Sequence, residues 1–271
     1  SGASLSFTSI TVHNAILVFD AGSIVTASNV LSSSGAATLS IATMNAAGFT
    51  VVSGTGTILG SMLNLTAQGA VVIAGTTLVP SVSSVAFAPG QGLTVNRDGT
   101  VLMSTTSRIN ILGNVNLQPG ALLTHSANST ARSFIVDISA TGNFDVQAGS
   151  TIGVDGLGYA GGSTGYGPGG GQSVGTGGGG GHGGYGGYGS DGTSLGGAVN
   201  DSLIYPLDLG SGGGAGAGAT GGSGGGAVIL TVQGALALNG LISGNGVVGT
   251  GGGQGAGGGA GGTINLTAGT L

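Results

Sequence analysis

The glycines divide this 271-residue chain in two: 16 of the 66 lie in residues 1–150 and 50 lie in residues 151–271. Whatever the second half folds into is built largely without side chains. Runs such as Gly177 to Gly181, Gly212-Gly213-Gly214 and Gly251-Gly252-Gly253 have the composition of a flexible linker. Two features favour order instead. The glycine tracts recur between the same strand-like elements, and they carry Tyr159, Tyr166, Tyr185, Tyr188 and Tyr205. Glycine lets extended polyproline-II-like strands approach closely, as at the axis of collagen, although the strict Gly-X-Y period is absent. The expectation is ordered glycine-rich flaps covered by the tyrosines.

The first half reads as short strands. Leu5 and Phe7, Ile10 and Val12, Ile16 and Val18, Leu63 and Leu65, Leu93 and Val95, and Ile109 and Ile111 each sit two apart. Side chains two apart share one face of a strand. Turn clusters such as Ala21-Gly22-Ser23 and Pro89-Gly90-Gln91-Gly92 separate them. Lys and Glu are absent while Val, Ile and Thr are abundant, so no helix is expected.

Internal repetition narrows the class. Gly113-Asn114-Val115-Asn116-Leu117-Gln118-Pro119-Gly120 aligns with Gly142-Asn143-Phe144-Asp145-Val146-Gln147-Ala148-Gly149, and more loosely with Gly234 to Gly240. Each copy follows one strand-like stretch and precedes a shorter one, giving three strands in about two dozen residues. The fold class this predicts is all-β: a parallel β-helix (solenoid) with long glycine-rich insertions between coils, at about 157–226 and 247–262. Residues 1–107 form an N-terminal β region, for which a β-sandwich is the alternative. Residues 108–271 form the glycine-rich region.

Charge excludes several functions. Charged residues make up 4% of the chain, and the only basic ones are Arg97, Arg108 and Arg132. Three scattered arginines cannot neutralise a nucleic-acid backbone. The absence of cysteine removes disulfides, thiolate metal sites and a cysteine nucleophile. No stretch approaches 18 uninterrupted apolar residues, so no helical membrane span is expected.

The succession His182-Gly183-Gly184-Tyr185-Gly186-Gly187, then Leu207 to Gly214, then Gly224 to Val232, and finally Gly261 to Thr267 resembles large glycine-rich surface proteins. These are β-solenoid adhesins and autotransporter passengers. The resemblance covers about residues 108–271 and is one of composition and rhythm. It implies an extracellular scaffold or adhesive role and brings no site residues.

Chemistry has few candidates. Some secreted β-helices cut acidic polysaccharides with clustered carboxylates, and Asp137, Asp145 and Asp155, with Arg132 nearby, are the residues that would serve. The competing reading makes them surface and turn residues. His13, His125 and His182 lack the close spacing of a zinc site. Gly186 to Thr193 partly matches one calcium β-roll nonapeptide, but a single copy reads as an Asp-Gly turn. No catalytic residue, metal or cofactor is therefore expected. Asn64, Asn128, Asn200 and Asn265 head Asn-X-Ser/Thr sequons and are candidate glycosylation sites. Tyr159, Tyr166, Tyr185 and Tyr188 form a candidate sugar-stacking surface.

The expected function is a structural subunit of an extracellular fibre or surface layer. The expected partner is a second copy, joined head to tail through strands bearing Leu5, Phe7, Ile10 and Val12 at one end and Ile264, Leu266 and Leu271 at the other. The alternative is a carbohydrate-binding adhesin module with glycans as partners, and the polysaccharide-degrading enzyme ranks below both.

Overall fold

The computed structural model describes residues 99–251 and 255–271 continuously, and of residues 1–98 only the strands named below. Among the described residues every regular element is a strand. Eight short ones pair in chain order into one parallel sheet: Ile16–Val18, Thr38–Ser40, Thr57–Gly60, Thr77–Pro80, Thr100–Met103, Leu122–His125, Thr151–Gly153 and Leu241–Ser243. A second row runs Ser4–His13, Ile24–Ser34, Thr43–Ala46, Asn64–Ala67, Ser84–Phe87, Ile109–Leu112, Val136–Ala140 and Ala227–Leu238, and Thr263–Thr270 adds to its last strand. A third runs Phe49–Thr50, Val71–Ile73, Gly92–Val95, Asn114–Leu117 and Phe144–Val146, and it too meets Ala227–Leu238.

That shared strand corrects the expected fold class. The sequence predicts a parallel β-helix (solenoid) with long glycine-rich insertions between coils. Instead, the 12-residue strand Ala227–Leu238 pairs through Val228 with Val136 and through Leu236 with Phe144, fusing the second and third rows into one 14-stranded sheet. With the 8-stranded sheet it makes a nearly closed, barrel-like parallel wall. The local difference is at the corner: the earlier copies read Gly113-Asn114 and Gly142-Asn143, whereas this strand reads Gly234-Ala235 and continues without the asparagine. The sandwich alternative for residues 1–107 fails as well, because the strand pairs described there are parallel.

The core lies inside this wall. Strands such as Thr100–Met103 and Leu122–His125 alternate half-buried and buried positions, so Val101, Met103 and Leu123 point inward. Ile109, Ile111, Val115, Leu117, Val136, Ile138, Phe144 and Val146 join them. Fully burying one such side chain stabilises by about 1.5–3 kcal/mol. The repeated sequence copies stack directly, with Val115 against Phe144 and Phe144 against Leu236. Gly120 and Gly149 occupy equivalent turns at φ 87° and 84°, a left-handed backbone that disfavours any side chain. The interval between paired positions is 20 residues from Thr57 to Thr77 and 29 from Leu122 to Thr151, then widens to 90 from Thr151 to Leu241. The extra chain is glycine-rich.

That glycine-rich chain packs as a block against the outside of the wall. Its central segment, Gly210 to Gly214, hydrogen-bonds to five others. The amides of Gly210, Gly212, Gly213 and Gly214 donate to the carbonyls of Gly225, Tyr166, Gly222 and Gly178. Its carbonyls accept from Tyr159, Gly162, Gly171, Gly257 and Ala260. A strand in a sheet has two such neighbours. Packing in several directions at once leaves no room for side chains: a Cβ on Gly212, Gly213 or Gly214 would overlap the carbonyl of Ala160, Gly257 or Gln172. The segments are thus a cross-bonded block and not the separate flaps the sequence suggests.

A second small core fastens block to wall. Ala227 and Ile229 face outward from their strand, while Val228 and Leu230 face the main core. Ile135, Tyr159 and Leu209 cover the outward pair. Both faces of the strand are buried, which accounts for the continuous apolar run Ala227 to Leu230.

Candidate functional site

The block turns Tyr185 and Tyr188 to solvent, 81% and 71% exposed. They flank Gly186-Gly187, which the block ties on both sides: the Gly186 amide donates to Gly197 and the Gly187 carbonyl accepts from Gly179, at 2.9 and 2.8 Å. Two depressions meet at Tyr188. One, of about 310 Å³, is lined by Gly177, Gly179, Gly187, Ser190 and the segment Gly255 to Gly258. The other, of about 360 Å³, lies against Tyr185, Gly186 and Gly196. Among the described residues no charged side chain lines either one.

The four tyrosines expected to share a stacking surface separate. Tyr159 is buried in the block–wall core, and its hydroxyl donates to Asp208 Oδ1 at 3.1 Å. Burial, followed by the Asp208 charge, pushes its pKa up to about 12. Tyr166 is 43% exposed and its carbonyl serves the central glycine segment. Only Tyr185 and Tyr188 come together around the depressions. The tyrosines do not cover the glycines, as expected from sequence; apart from Tyr159 they lie at the block's surface.

The turn beneath Ser190 is set by Asp191. Its Oδ1 accepts from the amides of Thr193 and Ser194, and its Oδ2 from that of Thr176 at 2.7 Å. These amides, Thr193 and Thr176 foremost, hold the carboxyl well below its ordinary range. Gly192, at φ 72°, completes the turn. The stretch resembling a β-roll copy is thus an Asp-Gly turn.

A second ordered cluster centres on His182. Its Nδ1 donates to the carbonyl of Leu209 at 2.9 Å, and its Nε2 lies 3.3 Å from Thr263 Oγ1 and 3.5 Å from Asp201 Oδ2. Asp201 accepts from the amides of Ser202, Leu207 and Asp208, closing the loop that exposes Leu203, Ile204 and Tyr205. Burial raises the Asp201 pKa, but these amides and His182 together outweigh it and the net displacement is downward. Sequence offered no signal for this cluster, since Asp201, Leu209 and Thr263 lie 19, 27 and 81 residues from His182. His125 is buried at the end of its strand, with Nδ1 bonded to the Ser126 carbonyl. His13 lies in the first strand, where its side chain is outside the described residues.

The carboxylates considered for catalysis are not brought together. Asp137 pairs with Arg108 at 2.8 Å, Asp145 accepts from Gln147, and Asp155 accepts from Ser243 Oγ and the Asn245 amide. Asp137 and Asp145 lie on strands of two different rows, and Asp155 lies in the turn after Thr151–Gly153. Among the described residues no three His, Cys, Asp or Glu side chains group as metal ligands.

Two sequons are structural. Asn128 donates from Nδ2 to the carbonyls of Phe134 and Leu157 and accepts on Oδ1 from the amides of Ser133 and Phe134. A glycan there would take one of the two Nδ2 hydrogens that these carbonyls accept, at a side chain that is 9% exposed. The Nδ2 of Asn200 is buried without a partner, so it too is closed to a glycan in the folded chain. Asn265 points outward but donates to the Pro206 carbonyl at 3.1 Å. Asn64 sits in a described strand whose side chains lie outside the described residues.

The expected contact strands hold edge positions, but Phe7, Ile10 and Leu266 pack with the main core. Leu5 is half-buried, Val12 falls outside the described side chains, and Ile264 and Leu271 are exposed. No helix among the described residues is long and apolar enough to cross a membrane. No known family model matches the chain, and neither a curated protein nor a solved structure is significantly similar to it.

Proposed function

We propose that the chain is a structural subunit of an extracellular fibre or surface layer that assembles by end-to-end strand pairing. The carrying observation is the state of the wall's ends. Among the described strands, Ser4–His13 pairs only with Ile24–Ser34, and Thr263–Thr270 pairs only with Ala227–Leu238. Strand edges of this kind are templates for a further strand, and proteins that avoid such pairing blunt them with proline, or with lysine and other charged side chains. Here Ile264, Leu241 and Leu271 are exposed instead, and no charged residue follows Asp208. The wall strands all run parallel, so one copy's final strand meets another's first with the same polarity. A contact between two different surfaces repeats without closing and gives a filament. The poverty of charge and the resemblance to surface proteins support the extracellular setting.

Negative-stain electron microscopy across a concentration series tests this reading. Long uniform filaments of the wild type, dispersed by the double variant Ile264→Lys, Leu241→Lys, are the expected result. Monomers at every concentration, or filaments indifferent to both lysines, overturn it.

A further inference from the structure

We propose that Tyr185 and Tyr188 form a binding site for an uncharged oligosaccharide, a role separate from assembly and not dependent on it. Two large aromatic side chains stand almost fully in water, although the block buries Tyr159 well. Their backbone is fixed by the Gly186 and Gly179 amide bonds, so little freedom is lost when a ligand lies on the rings. A sugar presents apolar C–H faces and a rim of hydroxyls. The tyrosine faces match the first, and the tyrosine hydroxyls, Ser190 and glycine backbone match the second.

The lining selects the ligand's charge. Among the described residues neither depression has a charged side chain, and the nearby Asp191 carboxylate is already engaged by three amides. An anionic polysaccharide would find no cation there. A polycation would find no free carboxylate. The spacing selects length: three residues of chain set the two Cα atoms at most about 10 Å apart, and with the side chains' own reach the pair can span more than one sugar unit. Tyr188 borders both depressions, so it is the residue that one continuous oligosaccharide must cross.

The test is calorimetric titration with cellohexaose, mannohexaose and chitohexaose, and with polygalacturonate as the anionic comparison. The protein carries the Ile264→Lys, Leu241→Lys pair so that binding is read apart from assembly. At least one neutral hexasaccharide is expected to bind, about tenfold more weakly in Tyr188→Ala and also more weakly in Tyr185→Ala. Tyr205→Ala, an equally exposed tyrosine outside the depressions, should bind as the parent does, and melting temperatures should be unchanged throughout. Absence of binding by all three neutral sugars, binding of polygalacturonate alone, or binding that survives Tyr188→Ala overturns the assignment.

Discussion

The Nε2 of His125 accepts a hydrogen bond of 3.2 Å from the amide of Ala227, 102 residues further along the chain. The bond sits where the glycine-rich block re-enters the wall. It requires the neutral tautomer protonated on Nδ1, which donates to the Ser126 carbonyl at 2.8 Å. A proton on Nε2 would set two donors against each other.

The first prediction concerns acid. Burial lowers the His125 pKa below its ordinary 6.5. The unfolded chain therefore takes up a proton before the folded one does. The stability this imidazole contributes is complete above about pH 6.5 and falls as pH drops below that value toward the folded pKa. Thermal melts between pH 7.5 and 5 should show the decline, and His125→Leu should flatten it. The variant leaves the Ala227 amide unpaired, at a cost of about 1–3 kcal/mol at neutral pH.

Gly213 separates packing from composition. A Cβ there would overlap the Gly257 carbonyl, whereas at Gly184 it meets nothing within 4 Å. Gly213→Ala should destabilise the block by about 1–3 kcal/mol, the usual cost of overpacking. Gly184→Ala should stay within about 0.5 kcal/mol of wild type. Amide hydrogen exchange across residues 158–262 reads both. Equal effects would mean that the glycines act as a linker.

Alkali probes the block–wall joint through Tyr159. Because its pKa is raised to about 12, the unfolded chain ionises first. Stability present below about pH 10 should therefore be lost between about pH 10 and 12. Tyr159→Phe removes the bond to Asp208 and should abolish this loss, as denaturant melts at pH 9 and 11 would register.

Asn128→Ala tests the loop it organises. Four hydrogen bonds to residues 133, 134 and 157 vanish together. A loss of about 2–3 kcal/mol is expected, with faster proteolysis between residues 128 and 134. Mass spectrometry of the protein produced in a glycosylating host should find Asn128 and Asn200 unmodified.

The candidate site was partly legible. Tyr185 and Tyr188 are conspicuous in a tract of glycine, but Tyr159 and Tyr166 looked identical in the sequence and lie elsewhere. Burial distinguishes them, and burial depends on which glycine segment packs behind each ring. His125 and His182 were invisible as structural residues for a related reason: neither has a local motif, and Ala227, Leu209 and Thr263 reach them from 102, 27 and 81 residues away.

The sequence by itself determined the strands, because apolar residues two apart and glycines at turns are local properties of the chain. It also determined the register of its repeat copies, since Val115 meets Phe144 and Phe144 meets Leu236 as aligned. Only the tertiary structure decided that Ala227–Leu238 runs through two rows and fuses them into one sheet. It alone decided that the segment from Gly210 to Gly214 bonds to five others. Backbone-to-backbone contact between residues without side chains leaves no pattern in residue type, so one glycine run cannot announce which other it will meet.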